Sequence, residues 1–215
     1  MTMLLAALLL AAAPAATEPP SGRYRLQGGP DTVGELDLQP GGHFEYGLSA
    51  GALDEGAEGD WTSDGRVVRL TTRPTPHPPV FSAGAQNRDP AVALSLKIVA
   101  PDGYGIAGVD FRIGFTDGSV EQGYTQDYGW SLARGGARKP AWIEMAVPMH
   151  ELVSPRFALD PAAGNAFTFV LTPNDLGLVD FEGVVLDLVP GKLVMHRGLG
   201  ELVFVRSDRD SNESH

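Results

Sequence analysis

The chain has 215 residues, enough for one large domain or two small ones, and its 43% apolar and 20% charged residues favour a packed core over disorder. A formal net charge of −11 argues against nucleic-acid binding and against adsorption to an anionic membrane, both of which need a basic footprint. Cysteine is absent, which excludes disulfides, thiolate metal sites, a cysteine nucleophile and lipid attachment at an N-terminal cysteine.

The N-terminal stretch holds an apolar run from Met3 to Ala13. It is too short to span a bilayer but has the length of a signal-peptide core. Ala13-Pro14-Ala15 supplies small residues at the recognition positions, so cleavage is expected after Ala15 or Ala16. Residues 1–15 are therefore read as a signal peptide, and the mature chain as exported, periplasmic or extracellular in a bacterium, with no transmembrane segment.

Beyond it, 27 glycines and 17 prolines favour turns and short strands over long helices. Residues 22–73 read as a meander. Leu36, Leu38, Phe44, Tyr46 and Leu48 alternate with Asp37, His43 and Glu45, the period of a sheet with one buried face. Pro40-Gly41-Gly42 marks a hairpin turn, and Val68 and Leu70 continue the pattern after Asp64-Gly65. Residues 74–90 read as a linker: a stiff proline-rich stretch from Pro74 to Pro79, then a polar loop from Ser82 to Pro90.

Residues 91–164 read as a second β unit. Val92, Leu94, Leu96 and Ile98 alternate, as do Val109, Phe111, Ile113 and Phe115, with turns at Pro101-Asp102-Gly103 and Asp117-Gly118. Trp142 to Val147 and Phe157 to Leu159 are further strands, and Glu144 to Val153 admits a helical turn that Pro148 interrupts. In residues 165–206, Phe167, Phe169 and Leu171 alternate, followed by Leu186-Leu188, Leu193-Met195 and Leu202-Phe204. Residues 207–215 form a polar tail, expected to be disordered.

Two partial resemblances accompany this reading. Gly22 and Tyr24, the L-x-L-x-P-x-G-x-F run from Leu36 to Phe44, Gly59 and Trp61, and L-x-F-x-R from Leu202 to Arg206 resemble small lipocalin-like barrels. The N-terminal domain of copper-resistance-type envelope lipoproteins is one such barrel. The lipidated cysteine and CxxC of those proteins are missing, so their metal and stress roles are not implied. Gly105-Ile106-Ala107-Gly108-Val109-x-Phe111, Asp117-Gly118 and Thr125-x-Asp127-x-Gly129-Trp130 are similar to carboxypeptidase-regulatory-like, transthyretin-type sandwich domains. That resemblance implies a scaffold or adhesion module without an active site. Together they imply an all-β chain: a small antiparallel barrel split in sequence, with a β-sandwich inserted between Pro74 and Asn165. The first meander has too few strands to close alone, which favours insertion over two consecutive domains.

Few residues suggest chemistry. Gly47-Leu48-Ser49-Ala50-Gly51 matches the G-x-S-x-G nucleophile elbow, which requires a strand-to-helix turn, whereas a half-polar strand and a glycine-rich stretch flank it here. His43, His77, His150, His196 and His215 form no i, i+2 or i, i+4 ligand pair, so no metal site is expected. Asp208 to Asn212 begins like a calcium loop but lacks its glycine, and Asn174, Asp175, Asp180 and Glu182 cluster around Gly177, where a solvated turn is expected and a bound cation is the alternative. The best candidate binding surface is the aromatic segment in which Tyr124, Gln126, Tyr128 and Trp130 share parity. The alternative is that Tyr124 and Trp130 are core residues flanking an Asp-Tyr-Gly turn. The expectation is an exported, non-enzymatic binding or structural module without cofactor, whose partner is an unknown protein or small ligand. The alternatives are a carrier of an apolar ligand in the barrel interior and a serine hydrolase at Ser49.

Overall fold

The computed structural model describes residues 19–133, 138–198 and 200–207. The expected signal peptide and the calcium-like tail lie outside them. Alternating apolar residues and glycine-marked turns produce five strands before the prolines: β1 (Gly22–Leu26), β2 (Thr32–Leu38), β3 (His43–Ala50), β4 (Leu53–Ser63) and β5 (Val67–Thr72). The middle of the chain adds β6 (Val80–Asn87), β7 (Leu94–Val99), β8 (Asp110–Phe115), β9 (Val120–Tyr124) and β10 (Trp130–Leu132). It continues with β11 (Pro140–Val147), β12 (Leu152–Val153), β13 (Phe157–Ala158) and β14 (Ala166–Thr172). The last strands are β15 (Glu182–Val189), β16 (Lys192–Arg197) and β17 (Gly200–Arg206).

The two ends of the chain build one closed antiparallel barrel, in the order β1-β17-β16-β15-β5-β4-β3-β2. β5 pairs with β15 (Val68 opposite Leu186) and β17 closes on β1 (Arg206 opposite Tyr24). Closure leaves this sheet without an open edge. Inward positions on the strands are filled: Tyr24, Leu36, Phe44, Leu70, Met195 and Phe204 are all buried in one cluster. Phe181, in the segment returning to β15, enters the same core and meets Tyr46 edge-on at 5.1 Å.

The chain between β5 and β15 forms two facing sheets, β10-β7-β14-β6 and β12-β11-β8-β9, with β13 paired to β11. Phe81, Leu96, Ile98 and Phe169 from the first pack with Phe111, Ile113, Ile143 and Met145 from the second. β14 pairs antiparallel with β6 and parallel with β7. So Phe167, Phe169 and Leu171, expected in the second barrel segment from residue 165, belong to the sandwich, and the barrel resumes at Glu182. Alternation sets which side chains face a core, not which strand lies alongside. The expected polar loop from Ser82 lies largely in β6, an edge strand whose small and polar side chains are mostly exposed. Pro148 opens a single 3-10 turn, Pro148–His150, after β11 has ended.

Candidate functional site

β8 alternates a buried set (Phe111, Ile113, Phe115) with an exposed one (Asp110, Arg112). The exposed set belongs to the outer face of the second sandwich sheet. Pairing sets cross-strand rows on this face: Tyr124 opposite Asp110, Asp110 opposite Ala146, and Ala146 opposite Val153. The next row is Gln122, Arg112 and Glu144, and the next Val120, Gly114 and Trp142. The first two rows line a shallow depression of about 560 Å³. Tyr124 is 61% exposed at one side and Val153 is 68% exposed at the other.

The third row lies beside the depression on the same face. Trp142 lies across Gly114, where a Cβ would stand 2.0 Å from the indole, so only glycine fits. The Arg156 guanidinium covers the Trp142 ring at 3.9 Å and donates from Nε to Glu144 at 3.1 Å. Arg112 lies 4.0 Å from the same carboxylate. Asp110 has no ion pair among the described residues. The face thus combines an exposed aromatic ring, charges of both signs and an amide side chain.

The four residues singled out by parity do not share it. β9 ends at Tyr124, and the chain then crosses to the other sheet. Thr125 is fully buried at the crossing; its hydroxyl donates to the Ile106 carbonyl at 2.8 Å. Gln126 and Gly129 exchange backbone hydrogen bonds across a tight turn, with Tyr128 80% exposed at its tip. Trp130 opens β10 in the facing sheet and packs against Phe111 at 4.9 Å. Shared parity requires one continuous strand, and the Thr125–Gly129 crossing breaks it. Tyr124 is therefore placed with Asp110, Arg112, Gln122 and Glu144, which the sequence reading passed over. The β8 alternation marked Asp110 and Arg112 as outward; nothing local said which strands flank them. A further exposed tyrosine, Tyr104, neighbours Gly105, which abuts the turn so closely that a Cβ would stand 1.7 Å from the Asp127 carbonyl.

Other chemistry-bearing residues have structural partners. Ser49 sits in the β3–β4 hairpin and donates to Asp54 at 2.5 Å, with antiparallel strands on both sides of the turn instead of a helix. Asp175 accepts the His77 backbone N–H at 2.7 Å, and this bond holds its carboxyl below the usual range. Asn174 donates to the Pro78 carbonyl at 2.8 Å, so the expected acidic turn clasps the two connections between barrel and sandwich. His196 contacts Asp187 at 3.0 Å and Glu201 at 3.4 Å; the Asp187 hydrogen bond raises its pKa. No group of three or more metal-ligating side chains occurs among the described residues. Comparison with protein-family models, with curated proteins and with solved structures finds no match.

Proposed function

We propose that the protein is an exported, non-enzymatic binding module that recognises a partner through the outer face of the β12-β11-β8-β9 sheet. The observation that carries the reading is Tyr124, a large ring left 61% exposed at a depression lined by Asp110, Arg112 and Glu144. Exposed aromatics bounded by fixed polar groups are the usual energetic anchors of interfaces. Export rests on the leader pattern before Thr17, and a scaffold role agrees with the resemblance of the central segment to transthyretin-type sandwiches. Carriage inside the barrel is less well supported, because Phe44, Phe181 and Phe204 occupy its interior. A hydrolase at Ser49 lacks the strand-to-helix elbow its chemistry needs.

The mature chain, immobilised and challenged with envelope extract of its own bacterium, should retain a defined partner. Tyr124→Ala should weaken retention at least tenfold, with thermal stability unchanged within about 0.5 kcal/mol because the side chain is exposed. Equal retention by the variant would remove this face from the account. Labelling of Ser49 by an active-site serine probe would overturn the non-enzymatic reading.

A further inference from the structure

The connections between barrel and sandwich create a second surface, independent of Tyr124. The returning connection runs along the barrel rim: the Gly56 N–H donates to the Gly177 carbonyl at 2.9 Å, and the Val179 N–H to the Gly56 carbonyl at 2.8 Å. These bonds fix Leu176 and Leu178 at the rim, yet leave them 37% and 54% exposed. Met149, from the turn after β11, is 49% exposed in the same cleft. With Leu48, Leu53 and Leu202 of the barrel these side chains line about 660 Å³, a volume suited to a small molecule. Pro76, Pro78 and Pro148 stiffen the walls and present no backbone donor.

The charges of the cleft select the occupant. Glu151, Asp175, Asp180 and Glu201 line it beside the Glu55–Arg197 pair, and Arg197 is the one lysine or arginine in the described lining. Arg197 is already neutralised, donating from both terminal nitrogens to Glu55. The His77 ring is engaged by Asp175 at 3.1 Å, and His150 is the other histidine in the lining. Such a rim repels a fatty acid and attracts a cation. We propose that the cleft binds a small cationic amphiphile: an apolar chain or ring carrying a protonated amine or quaternary ammonium.

Isothermal titration of the full mature chain with decyltrimethylammonium below its micellar concentration tests this, with decanoate and decyl maltoside as chain-matched comparators. Saturable one-to-one binding is expected, at least tenfold tighter than for decanoate. Met149→Ser with Leu178→Ser should weaken it at least tenfold, and Asp180→Asn several-fold; Tyr124→Ala should leave it unchanged. All these side chains are exposed, and if the double variant fails to fold, Asp180→Asn and the headgroup comparison decide. Absence of saturable binding, equal affinity for decanoate, or indifference to the cleft variants would overturn the proposal. Because Tyr124 lies outside the cleft, failure here leaves the recognition face standing, and the reverse holds equally.

Discussion

Tyr46 is buried in the barrel beside the Arg197–Glu55 pair. Burial first, then the Glu55 carboxylate, pushes its pKa from 10.0 up to about 12. The folded state thus holds this proton more tightly than the unfolded chain does. The associated stability is fully present below pH 10 and is lost as pH rises towards 12. Two units correspond to about 2 to 3 kcal/mol. Urea unfolding at pH 9 and pH 11.5 should show a decline of that order, and Tyr46→Phe should remove this component of it. The adjacent plug, Phe181, illustrates what sequence could not show. It stands in the short Val179-Asp180-Phe181-Glu182 alternation leading into β15, and only the returning chain brings it into the barrel.

Among elements, the barrel strands were legible because each has one buried and one exposed face: Leu36, Leu38, Phe44 and Tyr46 are all buried. Partner choice was not legible. β14 alternates as the barrel strands do, yet its neighbours are β6 and β7. The outer face of the β12-β11-β8-β9 sheet had the same fate, since its rows depend on β8 lying between β9 and β11. The β1–β17 seam that closes the barrel depends on Arg206. This residue donates to the carbonyls of Ser21 at 2.9 Å and Pro19 at 2.7 Å, and to the Tyr24 hydroxyl at 2.8 Å. Arg206→Leu should cost about 1 to 3 kcal/mol through the backbone groups it leaves unbonded. It should also speed hydrogen exchange in β1 before that in β3; unchanged β1 protection would show that strand pairing alone holds the seam.

The molecule contains two cores that share no residue, one in the barrel and one in the sandwich. Every buried residue of the sandwich core lies between Phe81 and Leu171. A fragment spanning residues 79–173 should therefore fold alone and unfold cooperatively, by near-ultraviolet circular dichroism and denaturant titration. Failure to fold would mean that the clasp through Asn174 and Asp175 couples the two units. The chain's two ends return to one barrel, so the sandwich is held out by two adjacent connections, with its β12-β11-β8-β9 face carrying Tyr124 to solvent. The central claim is that this face, not the barrel wall, meets the partner. A photo-crosslinking phenylalanine analogue placed at Tyr124, and in a separate variant at Val33, which is 66% exposed on the barrel, tests it most directly in intact cells of the source organism. A discrete crosslinked species from position 124 and none from position 33 is the predicted result; no adduct at 124, or the same adduct from both positions, would contradict the account.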